Sequence, residues 1–363
     1  MLWIVLTALI VPAFCAAGLT YVVRAWALRR GFVDHPAGHK QHAKPVALGG
    51  GIALMWAICL PILGGTLLAW LLHDSAAPAW LPEVVQTHLD GIASKLGSVA
   101  AIVGGALVLH VVGLFDDRRP LGPWRKFAVQ IAVALFLAWP MGIRSVEALG
   151  PFLSICITVL WIVTITNAFN FLDNMDGLSA GVAAIAAAIF AVASMGTGQV
   201  FVPVFGCVIA GASAGFLFFN FAPARIFMGD AGSLVIGYFV AVLTILATFY
   251  HPAQGLTPLG VLVPLLVLAV PLYDVISVIV QRVRLGESPL RGDRRHFSHR
   301  LVRRGLSERS AVLTIYLATA ATGLPAIVVP RVDWPFGILL MFQCVCVLVM
   351  IAILEQTGAK GEG

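Results

Sequence analysis

The stretch Asn167–Gly181, NAFNFLDNMDGLSAG, places three amides and two acids within ten residues, Asn167, Asn170, Asp173, Asn174 and Asp176. The sequence around it is overwhelmingly apolar. Of 363 residues, 60% are hydrophobic and only 11% charged, with a mean hydropathy of +0.96. A soluble domain carries about 25% charged residues. A globular core of this length cannot hide such a surplus of apolar side chains, so the solvent must be lipid, and water-soluble readings are excluded. Polar groups this dense are costly facing lipid and reasonable facing a wet cleft.

Working outward, a membrane span needs about 20 mainly apolar residues. Eleven segments qualify: 2–24, 47–72, 98–115, 125–141, 151–171, 178–196, 200–221, 233–250, 257–281, 311–329 and 336–354. The expected fold is all-α, a polytopic membrane protein of about eleven transmembrane helices, forming one domain over residues 1–363. The first segment lacks the basic start of a signal peptide and reads as a retained span. The six cysteines all lie in apolar runs without zinc-ligand spacing and read as packing residues.

Lys and Arg set the orientation. With eleven alternating spans, twenty of the 23 fall on one side, leaving Lys95, Arg144 and Arg331 on the other. This puts the N-terminus outside and the C-terminus in the cytoplasm. The same parity gathers GLFDDRR (Asp116, Asp117), FLDNMDG, FMGDAGS (Asp230) and GDRRHFSHRL (Asp293, His296, His299) on the cytoplasmic face.

Clustered acids repel unless a cation or base neutralises them. Oxygen ligands drawn from several loops suit a hard cation, and Mg²⁺ fits best, held by one or two carboxylates together with substrate phosphates. The bases around them, Lys44, Arg118, Arg119, Lys126, Arg225 and the 282–309 loop, suit a phosphoryl or pyrophosphoryl group rather than a nucleic acid. The helix openings LGGG (Leu48–Gly51) and MGDAGS (Met228–Ser233) are expected to offer free N–H groups to phosphate. Asp274, eight residues before Arg282, lies about 12 Å into its helix at the usual rise. It reads either as a functional acid or as a tie to a neighbouring helix.

Five ordered motifs carry a resemblance: HAKPVALGGG (His42–Gly51), GLFDDRRPLGPWRK, NAFNFLDNMDGLSAG, FNFAPARIFMGDAGSL and VPLYDVISVIVQRVRLGESPLRGDRRHFSHRL. Together they resemble the polyprenyl-phosphate N-acetylhexosamine-1-phosphate transferases. The likeness is greater to the bacterial undecaprenyl-phosphate GlcNAc-1-phosphate branch than to the phospho-MurNAc-pentapeptide translocases. The resemblance implies attack of undecaprenyl phosphate on the β-phosphorus of a UDP-sugar, release of UMP, and a polyprenyl-pyrophosphoryl sugar that initiates a cell-surface polysaccharide. It implies Mg²⁺, with Mn²⁺ as a substitute, and a bacterial inner-membrane location with the site facing the cytoplasm; homodimers occur among such relatives, and the oligomeric state is left open. It makes Asp230, with Asn170, the metal site. Asp116, Asp117, Asp173, Asp176, His296 and His299 become catalytic residues, and Lys44, Lys126, Asn167, Asn170, Asn220, Phe227 and Arg300 substrate-binding ones.

Two positions depart from the family pattern. Relatives carry His-x-His-His before Arg-Leu, and here Ser298 replaces the middle histidine. Relatives often carry Gly where this chain has Asn174. The competing readings are a peptidoglycan-precursor translocase, an inactive scaffold, and a secondary transporter. A transporter places its charged sites near the midplane between repeats, whereas these acids gather at one face and no repeat is evident.

Overall fold

A computed structural model describes residues 2–34, 45–74, 81, 83–195, 199–247, 257–288 and 295–356. The long helices are α1 (Leu2–Arg30), α2 (Gly50–Leu72), α5 (Leu96–Arg118), α6 (Pro123–Ala138), α7 (Pro151–Leu172), α8 (Leu178–Ser194), α9 (Phe201–Asn220), α10 (Asp230–Leu246), α12 (Ala269–Arg284), α14 (Glu308–Gly323) and α15 (Trp334–Gln356). Shorter pieces are α3 (Glu83–Gln86), α4 (Leu89–Ala93), α11 (Val263–Val267) and α13 (Phe297–Arg303). Among the described residues, seven helices are long and apolar enough to cross a membrane, or eight if a bent pair counts as one span. The protein is thus an all-α polytopic membrane protein. Among the described residues there is also a small ladder of β1 (Val33–Asp34) and β2 (Val46–Ala47), which pair antiparallel.

Local chemistry sets the helix ends. Arg119 is extended, as a residue before proline prefers, so α5 stops at Arg118 ahead of Pro120. Both α6 and α7 begin with proline directly after a glycine. The expected span 257–281 is broken, and its two parts are bent by 65°. Pro271 has no N–H for the carbonyl of Val267, four residues earlier, and the helix yields there.

The centre of the bundle is α10, which packs on α2, α5, α7, α8 and α9. From Ala231 to Thr244 every side chain is buried, as expected of a helix apolar on all faces. At the periphery, α1 and α15 turn Trp3, Phe14, Phe336 and Phe342 outward. These side chains are stable there because the surrounding medium is itself apolar. Without a hydrophobic drive between helices, close packing holds α1 to α9. A Cβ on Gly211 or Gly215 would lie 2.0 Å from the carbonyl oxygens of Leu9 and Ala13 respectively, so glycine at this four-residue spacing lets the backbones touch.

Candidate active site

One end of the bundle opens into a cleft of about 1010 Å³. Its walls come from the loop after β2, the C-terminal end of α5, the α7–α8 turn, the α9–α10 connection, and the first residues of α13 and α14. Asp117, Asp173, Asp176 and Asp230 all line it, together with Phe227 and His299.

These acids meet because backbones approach closely beneath them. A Cβ on Gly113 would lie 2.4 Å from the backbone of Ala231, so only glycine brings α5 this near the start of α10. His110, one turn earlier and buried, donates from Nδ1 to the Ala231 carbonyl at 2.9 Å. With α5 fixed there, Asp117 accepts from the N–H groups of Asp230 (2.7 Å) and Ala231 (3.2 Å). Asp116, its neighbour, turns the other way and accepts from Leu121 N–H at 2.8 Å.

Lys126, on the first turn of α6, joins the two halves. Its ammonium lies 3.1 Å from Asp116 Oδ2 and 2.6 Å from Asp230 Oδ2. The other oxygen of Asp230 accepts from Asn170 Nδ2 at 3.0 Å, and the same amide donates to Ser233 Oγ at 2.9 Å. Asp176 accepts from Ala224 N–H at 2.8 Å, and Asp173 from Gly229 N–H. Burial drives the Asp173 carboxyl well above the usual carboxylate range, and the negative charges of Asp230, Asp117 and Asp176 push it further. Six carboxyl groups around one cavity, those of Asp34, Asp117, Asp173, Asp176, Asp230 and Glu308, call for positive charge. Among the described residues no three His, Cys, Asp or Glu side chains form a metal cage. The donors are oxygens, which suit a hard cation that takes one or two carboxylates and completes its shell from water and phosphate.

The geometry distributes the remaining expected site residues between the cleft and the scaffold. Asn167 does not reach the cleft. It donates to Gln130 Oε1 (2.5 Å) and to its own helix at Val163 O (2.7 Å), tying α7 to α6. His296 is buried against Asp274, with Nδ1 2.8 Å from Asp274 Oδ2, and its ring packs on Phe171. Asp274 also accepts from Phe297 N–H at 2.6 Å. This buried acid is therefore the tie between α12 and the start of α13. Arg300 pairs with Glu355 of α15 at 2.9 Å and donates to Ser277 Oγ, away from the cleft. Asn220 lines the cleft, but its amide spans Gly177 N–H (3.1 Å) and Ile226 O (2.9 Å), so it shapes the wall. Lys44 and Asp293 lie outside the described residues.

Neither glycine-rich helix start keeps its N–H groups free. Gly50 and Gly51 donate to the carbonyls of Phe227 and Met228, both at 3.0 Å. The first two N–H groups of α10 are taken by Asp117. Both openings serve to dock the loop that carries Phe227 and Asp230. Sequence reading did not single out Asp34, Glu308 or Arg309, all of which line the cleft. Arg309 donates to Ala222 O at 2.9 Å. The only signal for it was its place at the end of a basic loop.

The sequence profile of glycosyl transferase family 4 matches residues 99–248, the segment holding Asp116, Asp117, Asp173, Asp176 and Asp230. A Bacillus subtilis protein named a probable undecaprenyl-phosphate N-acetylglucosaminyl 1-phosphate transferase is 31% identical, over 99% of this chain and 93% of its own. A Mycolicibacterium smegmatis decaprenyl-phosphate N-acetylglucosaminephosphotransferase is 37% identical, over 83% and 77% respectively. An Escherichia coli undecaprenyl-phosphate alpha-N-acetylglucosaminyl 1-phosphate transferase is 27% identical, over 83% and 77%.

Proposed function

The chain belongs to the polyprenyl-phosphate N-acetylhexosamine-1-phosphate transferases of glycosyl transferase family 4, and from that membership we propose the following reaction. It transfers a sugar-1-phosphate, N-acetylglucosamine-1-phosphate as the best reading, from a UDP-sugar to undecaprenyl phosphate. An oxygen of the acceptor phosphate bonds to the β-phosphorus of the donor. The bond from that phosphorus to the oxygen bridging to the α-phosphate breaks, and UMP leaves with that oxygen. The product is a polyprenyl-pyrophosphoryl sugar, which serves cell-surface polysaccharide synthesis.

The observation that carries this reading is Lys126, held between Asp116 and Asp230, the latter one of five aspartates lining the cleft. It sits at one end of an apolar bundle, where a lipid phosphate and a water-borne nucleotide can meet. Lys126 supplies fixed positive charge where pyrophosphate oxygens gather. Asp117 holds Asp230 in place, and Asp116 holds Lys126, so the cluster is set before substrate arrives. An attacking phosphate is already anionic at neutral pH, so these acids position and need not deprotonate it. Phe227 offers a half-buried ring to the uracil, and His299 and Arg309 border the same cavity. Mg²⁺, or Mn²⁺ in its place, bound through Asp230 and Asn170 would supply Lewis-acid stabilisation of the pyrophosphate.

The same reading takes the chain as one domain of about eleven spans in the bacterial inner membrane, with its N-terminus outside and its cleft on the cytoplasmic side. The Lys and Arg distribution supports that direction. The test is UMP release by purified protein with undecaprenyl phosphate, Mg²⁺ and a panel of UDP-sugars. Lipid-dependent UMP from one donor, lost in Asp230→Asn, is the expected result. No UMP from any donor, or full turnover in Asp230→Asn, would overturn it.

A further inference from the structure

Beneath the cleft, a polar contact joins the two helices that reach Asp230 from either side. Asn167 Nδ2 donates to Gln130 Oε1 at 2.5 Å. Gln130 stands on α6 four residues after Lys126, and Asn167 on α7 three residues before Asn170. Residues at these spacings share a helix face. Helix α6 starts at the cleft and α7 ends there, so Gln130 and Asn167 form a second level, about one helical turn deeper than Lys126 and Asn170. At the upper level Asp230 is the bridge. Lys126 donates to its Oδ2 at 2.6 Å and Asn170 to its Oδ1 at 3.0 Å. At the lower level the two amides meet directly.

The seat of α7 on α10 does not depend on these amides. A Cβ on Gly237 would lie 2.8 Å from Thr166 Cα, so α7 and α10 touch through their backbones. Trp161 Nε1 also donates to Thr244 Oγ1 at 2.8 Å. Helix α6 packs on α5 and α7 and meets Asp230 through the long side chain of Lys126. Where that ammonium arrives therefore depends on how α6 sits against α7.

Stability gives little reason for an amide at position 130. Gln130 is 1% exposed, and its Nε2 has no partner among the described residues. A buried donor left unpaired costs stability, and an apolar side chain of similar length would avoid that cost. Asn167 also donates to Val163 O at 2.7 Å, so its amide keeps a partner without Gln130. What the amide pair adds is direction. A hydrogen bond is restricted in both length and angle, whereas apolar contacts let one helix slide or roll on another.

We infer that Gln130 and Asn167 are positioning residues, an amide pair that fixes the register of α6 on α7 so that Lys126 and Asn170 meet the two oxygens of Asp230. The pair acts through Lys126 and touches no substrate. Its consequence for turnover rests on the reading of the Lys126–Asp230 cluster as the place where pyrophosphate is held.

The experiment compares wild type, Gln130→Met, Asn167→Leu and the double substitution in detergent. UMP release is followed against UDP-sugar concentration, and melting temperature is read without substrate. The rate at which acetic anhydride acylates Lys126 is read by mass spectrometry against the exposed Lys95. Gln130→Met should lower kcat about tenfold while changing the donor KM by less than about threefold. Its melting temperature should stay within about 3 °C of wild type. Lys126, no longer seated between two acids, should lose part of its proton affinity and acylate about fivefold faster. The double should lose no more than about the larger single loss, because one tie is broken only once. Wild-type kcat in Gln130→Met, losses that multiply in the double, or unchanged Lys126 acylation would each overturn the proposal. So would a kcat loss that follows a matching fall in melting temperature, since the pair would then only pack. Should Gln130→Met fail to fold, Gln130→Asn keeps a polar group and shortens its reach by one methylene. It should show the same kcat loss and faster acylation, and wild-type values would overturn the proposal. A wild-type protein that releases no UMP overturns the transferase reading instead. Lys126 acylation then decides the positioning alone: acceleration supports it and no change refutes it.

Discussion

The carboxylate of Asp117 caps the helix that begins with Asp230, accepting from Asp230 N–H at 2.7 Å and from Ala231 N–H at 3.2 Å. One acid of the cluster thus holds the backbone of another. A negative side chain at a helix N-terminus is favourable, which offsets part of the cost of crowding acids here. Replacing Asp117 with Ala should lower stability by about 1–2 kcal/mol, the usual cost of losing a cap. It should also reduce UMP release by more than about tenfold, because Asp230 loses its fixed position. Thermal unfolding and turnover on the same preparation check both. Wild-type activity would show that the cap has no part in the chemistry.

Lys126 neutralises Asp116 and Asp230 together. Lys126→Met leaves two partly buried carboxylates facing each other, so activity should fall by about 100-fold or more, on the scale of losing one charge-stabilising group. Lys126→Arg should not rescue it, because a planar fork does not substitute for a compact ammonium between two acids. The assay is UMP release at saturating lipid; recovery in the Arg variant would refute the argument.

Asp173 gives a pH signature. Its folded pKa is raised, first by burial and then by Asp230, Asp117 and Asp176. The folded chain therefore holds a proton that the unfolded chain releases near the ordinary value of about 3.9. Stability falls as pH rises above that value and levels off once the raised folded pKa is passed. In EDTA the melting temperature should decline over this window, and Asp173→Asn should flatten the decline. Added Mg²⁺ should restore stability at the upper end if a cation offsets the crowded charge. A pH-independent melting temperature would contradict the raised value.

The two histidines should separate. His296 is paired with Asp274 in a site where both are buried, and removing one partner of such a pair costs about 3–5 kcal/mol. His296→Ala should mainly lower melting temperature. His299→Ala should keep the fold and raise the KM for the donor, since His299 borders the cleft. Equal thermal loss in both variants would argue against the division.

Gly113→Ala places a methyl group 2.4 Å from the Ala231 backbone. Helix α5 must then back away, taking Asp116 and Asp117 with it. An overpacking cost of about 1–3 kcal/mol is expected, with a larger proportional loss in turnover than in stability. Unimpaired turnover would mean that the acids do not depend on this approach.

Much of this arrangement is written locally. The apolar runs specify helices because lipid leaves the backbone no other partner. The Gly-Pro pairs before α6 and α7 and the Arg119–Pro120 pair after α5 mark ends by steric rules that act within a few residues. The density of acids at loop ends announced a site, because unpaired charge in a lipid setting needs a reason. What local rules could not reach was direction. Asn167 and Asn170 fall on a similar stripe of α7, yet one faces α6 and the other Asp230. His296 and His299 are three residues apart, yet one is locked to Asp274 while the other faces the cavity. LGGG and MGDAGS read locally as phosphate cradles, yet the N–H groups of Gly50 and Gly51 are bonded to Phe227 and Met228, and those of Asp230 and Ala231 to Asp117.

The sequence alone determined that this chain lives in lipid, that it is helical, and which stretches of it bear chemistry, because solvent preference and helix signals are properties of neighbouring residues. Only the tertiary structure decided which of those polar side chains face one another and which brace the scaffold. A hydrogen bond such as Ser298 to Asn174 joins helices far apart in the chain, and its existence depends on how backbones pack to within a few ångströms.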